Sequence, residues 1–190
     1  MSSAASTPSP WQGEGHPHPD PLPGREREER AWAVLDTVLD PEVPVVSVRD
    51  LGIVRNVVAC DDGLEVVLTP TYSGCPAIEA IERDVCDALG NAGLGTVRVR
   101  MQRAPAWTTN WISEEGRRKL LEYGIVPPQP VNATQGVPMQ WMPQRVPSLL
   151  ACPHCASRST ERLSAFGSTA CKALYRCLAC GEPFEHFKPI

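Results

Sequence analysis

The 190-residue sequence holds eight cysteines, and their spacing sorts them by chemistry. Cys152-Pro-His-Cys155 and Cys177-Leu-Ala-Cys180 are two C-x2-C knuckles with 21 residues between them. Each knuckle can aim two sulfurs at one point, and a β-ribbon between them can bring the pairs together, so four thiolates satisfy a tetrahedral ion such as zinc. An iron-only site of the rubredoxin type or a redox dithiol would use the same residues. Residues 150–190 are too few to bury a core of their own. A metal would therefore supply much of their folding free energy, on the order of 10 kcal/mol for structural zinc. Cys171 and His186 stand as reserve ligands, and His154 lies inside the first knuckle, where such a side chain points away from the metal.

Cys75 has a different setting. It follows the hydroxyl-rich run Thr69, Thr71, Tyr72 and Ser73, then Gly74, and precedes Pro76. Proline favours a first helical turn, so the spacing predicts that Cys75 caps a helix over residues 76–89, its sulfur beside unpaired amides and the positive end of the dipole. That setting favours a thiolate. Such a thiolate can ligate a soft metal, attack an electrophile or simply cap the helix. All four histidines lie in residues 1–24 or 150–190, which leaves no obvious base for a Cys–His mechanism. The acids Asp40, Glu42 and Asp50, in DPEVPVVSVRDLG, are candidate metal ligands or turn caps. Cys60 and Cys86 read as packing residues.

The elements that must position these groups follow from periodicity. Trp32, Leu35 and Val38 or Leu39 recur at helical spacing over residues 25–40, and Asp40-Pro41 ends that helix. Residues 53–60 and 64–69 are β-rich runs joined by Asp61-Asp62-Gly63, a hairpin signal. On the helix over 76–89, Ile78, Ile81, Val85 and Ala88 or Leu89 make a stripe that needs a sheet to cover. Over 96–103, Val97, Val99 and Met101 alternate with Arg98, Arg100 and Gln102, which predicts an antiparallel strand with one solvated face. Ser113, the acids after it and Gly124 bracket a further helix. Trp107 and Trp111 either seal a core edge or line a cleft near Cys75. The expected fold is α+β: a two-layer domain over 25–124 with a small, mainly antiparallel sheet packed on helices, then a zinc-ribbon-like module over 150–190.

Residues 1–24 and 125–149 carry six prolines each and read as a disordered tail and an extended linker. The run PHPDPLPGRERE is of a kind translated from bacterial intergenic repeats, which is consistent with a natural start downstream of Met1. A net charge of −4 argues against a whole-chain binder of nucleic acid or membrane surfaces. In residues 151–190, five Lys or Arg against three Glu leave a net of +2, too small a footprint for nucleic acid. With no apolar signal segment at the start and half the cysteines in a metal-type pattern, the reducing cytoplasm is the expected compartment.

DPEVP at 40–44, SVRDLG at 47–52 and LTPTYSGCP at 68–76 together resemble the small domain of the metal-sulfur cluster biosynthetic family, which occurs in iron–sulfur assembly factors. The resemblance covers about residues 25–101. It implies a compact α+β fold and marks Asp40, Glu42, Asp50, Thr69, Thr71 and Cys75, with Cys75 as a transient holder of iron or an iron–sulfur cluster. The helix ending in YGIVPP and the cysteine module resemble the PaaD branch in particular, encoded with bacterial phenylacetyl-CoA epoxidase. This implies an accessory role in phenylacetate catabolism, with the di-iron subunit or the flavin and iron–sulfur reductase as partner. The chain has no paired Glu-x-x-His helices, dinucleotide fingerprint or ferredoxin cysteine run of its own. A non-catalytic structural subunit and a thiol-dependent redox enzyme are the alternatives, and a homodimer is compatible with each.

Overall fold

The computed structural model describes residues 23–129 and 150–189. The tail over 1–22 and residues 130–149 of the expected linker, with Trp141 and Met142, lie outside them. Helix α1, Gly24–Leu35, buries Ala31 and Leu35. It stops sooner than its apolar spacing predicts. The Thr37 hydroxyl donates to the Val34 carbonyl at 2.7 Å, and Leu39 then bridges Ser47 in extended pairing, so Val38 enters the core from a loop.

Strands β1 (Val54–Cys60) and β2 (Gly63–Leu68) form the expected antiparallel hairpin, with Cys60 opposite Gly63. Helix α2, Ile78–Asn91, lays Ile81, Val85 and Leu89 on the sheet, all buried. Strand β3, Thr96–Met101, then pairs with β2 in parallel, Val66 opposite Val99. The antiparallel expectation is corrected here. A helix between two strands returns the chain to the same end of the sheet and delivers the second strand in the same direction. The alternation of Val97 and Val99 with Arg98 and Arg100 reports which face is wet, whatever the direction. On that wet face Arg98 pairs with Asp62 at 3.1 Å and Arg100 with Glu65 at 2.8 Å.

Ser113 caps helix α3, Glu114–Glu122, by accepting from the Gly116 amide at 2.9 Å. Gly124, at φ +90°, reverses the chain as a C′ residue must. The next two residues, Ile125–Val126, form β4 and pair in parallel with the last strand of the C-terminal segment. The second sheet thus has the order β4-β7-β6-β5, from β5 (Thr160–Ser164), β6 (Lys172–Cys177) and β7 (Pro183–Phe187). The ribbon also plugs into the first domain. Phe187, Cys171 and Ile125 belong to the same buried cluster as Leu35, Leu68 and Val85. The Phe187 ring lies 6.0 Å from Trp107, and burying such a side chain stabilises by roughly 1.5–3 kcal/mol.

Candidate functional site

Two sites stand apart. In the ribbon, the sulfurs of Cys152, Cys155, Cys177 and Cys180 all lie within 4.8 Å of one another. Cys152 and Cys180 are 3.8 Å apart, and Cys155 and Cys177 are 3.5 Å apart. Each knuckle is closed by a turn, from the Ala156 amide to the Cys152 carbonyl at 2.9 Å and from the Gly181 amide to the Cys177 carbonyl at 3.0 Å. These turns aim amides at sulfur: His154 N donates to Cys152 Sγ at 3.4 Å and Cys180 N to Cys177 Sγ at 3.5 Å. The Cys180 amide is the main cause that draws the Cys177 thiol down to about 6. Four sulfurs converging on one centre suit a soft, tetrahedral metal ion. Neither reserve ligand joins them. His186 is buried edge-on to Tyr175 at 5.8 Å, and burial lowers its pKa to about 4. Cys171 faces the first domain.

The other site centres on Cys75. Helix α2 begins at Ile78 with Ala77 as its cap residue, and no side chain caps it. Cys75 therefore stands two residues ahead of the cap, in a turn whose Cys75 amide donates to the Tyr72 carbonyl at 3.2 Å. The expected depressed pKa is corrected as well. Burial pushes the thiol up, and the charges of Glu42 and Asp40 add to it, against the Ala77 amide and the Thr71 hydroxyl. Half-buried near two carboxylates, the sulfur keeps its proton at neutral pH until something displaces it. It opens on a cleft of about 350 Å³, lined also by Thr69, Tyr72, Met101, Arg103 and Trp107. The Trp107 indole is fixed by its bond to the Leu51 carbonyl at 2.9 Å. Thr69, 1% exposed, has no hydrogen-bond partner for its Oγ1.

The three acids part company. Asp40, 6% exposed, accepts from the amides of Glu42 and Val43 through Oδ1, each at 2.8 Å. Burial raises its pKa despite those bonds. Glu42 is raised by burial and by Asp40. Both lie within electrostatic reach of the Cys75 thiol. Asp50 does not: it accepts from the Ser47 amide at 3.2 Å, the Ser113 hydroxyl at 2.9 Å and Lys119 at 2.7 Å. Burial alone would raise its pKa, but these donors outweigh burial and lower it. It fastens α3 to the SVRDLG turn, where Gly52, at φ +67°, leaves room for the Trp111 backbone. A Cβ there would meet the Trp111 carbonyl at 2.6 Å.

Sequence reasoning missed what the ribbon brings to this site. Lys172, 3% exposed, pairs with Glu185 at 2.9 Å and lies within electrostatic reach of Asp40 and Glu42. Cys171 is within reach of the same two carboxylates. Nothing in the alternation of KALYRC marks its first residues as facing another module, because that contact depends on β4 joining β7.

Comparison with known proteins agrees with this division. Residues 28–101 match the family described as iron-sulfur cluster assembly protein, and residues 142–188 match the PaaD zinc beta ribbon domain. The chain is 45% identical, over 84% of its own length and 91% of the relative's, to an Escherichia coli (strain K12) protein provisionally named as one of the subunits of 1,2-phenylacetyl-CoA epoxidase. It is 36% identical, over 53% of its length and 94% of the relative's, to a Porphyromonas gingivalis (strain ATCC BAA-308 / W83) protein named Fe-S protein maturation auxiliary factor. A solved DUF59 domain from Bacillus anthracis is 27% identical, with TM-score 0.48, covering 51% of this chain and 93% of that one. Among the described residues no helix is long and apolar enough to cross a membrane. With both modules matched in order and a relative aligned across nearly its whole length, the chain belongs to the PaaD family, in which an iron–sulfur assembly domain is joined to a β-ribbon.

Proposed function

We propose that this protein is a maturation factor for a phenylacetyl-CoA ring-epoxidising oxygenase, holding iron or an iron–sulfur unit in transit at Cys75 for delivery to an oxygenase subunit. The observation that carries the reading is the setting of Cys75: a protonated thiol on an open cleft, within electrostatic reach of Asp40 and Glu42, in a turn whose Thr69 hydroxyl is buried without a partner. Such a thiol is a poor free nucleophile, which disfavours the redox-enzyme alternative. A metal ion that displaces its proton gains a ligand beside negative carboxylates. The names of the two relatives, one an epoxidase subunit and the other a maturation factor, support the two halves of the proposal.

The ribbon's four cysteines would hold zinc, which supplies folding free energy and no open coordination position. In the full chain this keeps the ribbon rigid as a surface for the client. In cells growing on phenylacetate, a Cys75→Ser chain should let the oxygenase accumulate with its iron well below stoichiometry and its turnover impaired. Iron and sulfide assays of the purified di-iron subunit and reductase show which one is the client. Full iron in both would remove Cys75 from the function. The alternative of a purely structural subunit, favoured by the name of the Escherichia coli relative, predicts copurification with the oxygenase at fixed stoichiometry and no dependence on this thiol.

A further inference from the structure

Strand β3 is an edge of its sheet, whose order is β1-β2-β3. Along any strand the backbone groups of successive residues point to opposite sides. The Thr96 amide donates to the Asp62 carbonyl at 3.0 Å and the Gln102 amide to the Leu68 carbonyl at 2.7 Å, so the even-numbered residues of β3 face β2. The amides and carbonyls of Val97, Val99 and Met101 therefore point outward, and among the described residues no strand pairs with them. Such an edge accepts another extended chain unless something blocks it.

A second copy of this chain is opposed by charge. Two β3 strands paired antiparallel about Val99 would set Arg98 and Arg100 of one copy opposite Arg100 and Arg98 of the other, and like charges directly opposite are destabilising. Asp62 and Glu65 hold these arginines from within the sheet, yet both guanidinium side chains stay more than half exposed. The edge thus favours a strand of different composition. Carboxylates on the new strand would meet Arg98 and Arg100 on one face, and apolar side chains would lie beside Val97 and Val99, which already pack on the core, on the other.

Where this edge ends, the Cys75 cleft begins. Met101, 37% exposed, and Arg103 lie on the cleft wall with Ile78, Glu82 and Cys75. Among the described residues Arg103 has no ion pair and no hydrogen bond. Glu82 is the acid on that wall, so an incoming carboxylate is drawn to the Arg103 side.

We propose that β3 is the docking edge for an extended segment of the client protein, with apolar and acidic residues in alternation, which adds as a fourth strand and sets a carboxylate against Arg103 beside Cys75. The proposal rests on the reading of Cys75 as the cargo thiol: strand addition brings the client's chain to the cleft where the cargo is held. Backbone bonds along the edge supply affinity, and the arginines supply selection.

The test mixes the full-length, zinc-loaded chain with the purified di-iron subunit and, separately, with the reductase, and measures affinity together with amide hydrogen exchange over residues 96–103. Exchange there should slow about tenfold or more on binding one of the two. Val99→Pro removes an outward N–H and no bond to β2, and Arg103→Glu inverts the unpaired cation; each should weaken binding about tenfold or more. Cys75→Ser should bind the client as wild type does and lose its iron, whereas Val99→Pro should keep its iron. Failure of docking and failure of the cargo reading are thereby told apart. If circular dichroism shows Val99→Pro unfolded, Arg103→Glu decides. Wild-type affinity in Arg103→Glu, unchanged exchange over 96–103 in a bound complex, or no binding to either subunit would overturn the proposal. Protection of these amides in the chain alone, rising with its concentration, would make the occupant a second copy and overturn it too.

Discussion

The ribbon cluster and the Cys75 site use the same element, sulfur, and differ in closure. The four ribbon sulfurs come from two tight turns 21 residues apart and already point at one centre. Cys75 instead opens on a cleft lined by the turn at 69–75, the start of α2 and residues of 101–107, with the acids Asp40 and Glu42 within electrostatic reach. A shell closed by four thiolates retains its ion and stabilises a fold. An open cleft with one protonated thiol is suited to an ion that arrives and leaves.

The most severe break in this contrast is Cys152→Ser. It should cost about one metal per chain and, given on the order of 10 kcal/mol from a structural site, should leave the C-terminal segment open to protease. Because Phe187 and Cys171 are part of the main core, the first domain should lose stability too, which thermal melting followed by tryptophan fluorescence will read. Phe187→Ala probes that seam without touching a metal ligand. It should cost roughly 3–5 kcal/mol with the zinc retained; an unchanged melting temperature would mean that the ribbon's plug contributes nothing.

Asp50→Asn separates structural acids from site acids, and a loss of about 1–3 kcal/mol is expected from its broken contacts to Lys119 and Ser113. The Asp50 pKa is lowered on folding from 3.8. Its contribution is therefore complete above that value and disappears as pH falls through the lower folded value. Below about pH 4 the wild type should lose stability faster than the Asn variant in denaturant titrations. The mildest effect concerns Cys75 reactivity. Because burial and two carboxylates raise its pKa from 9.0, alkylation of Cys75 should still be accelerating at pH 9, as peptide mass spectrometry can follow. Glu42→Gln should shift that profile to lower pH.

Local signals are legible in the sequence, and signals that depend on two segments meeting are not. The knuckles, the hairpin turn at Asp61-Asp62 and the Ser113 cap each need only a few adjacent residues, and each is found in place. The direction of β3 differs from the expected one because side-chain alternation carries no information on strand polarity. Pro76 alone suggests an acidic Cys75 thiol. The helix starts later, however, and carboxylates from residues 40 and 42, far off in sequence, add to the burial that raises it. Asp50 sits in a motif shared with the site acids, yet its partners on α3 become apparent only once that helix has docked. The same holds for Cys171 and Lys172, whose inward placement follows from β7 pairing with β4.

The central claim is that the closed site keeps its metal while the open one carries iron through Cys75. The most direct measurement is metal analysis of the full chain purified anaerobically from iron-replete cells, wild type beside Cys75→Ser. The account predicts about one zinc per chain in both, from the ribbon's four cysteines, and substoichiometric iron in the wild type alone. Equal iron in the two proteins, or none in either, would contradict it.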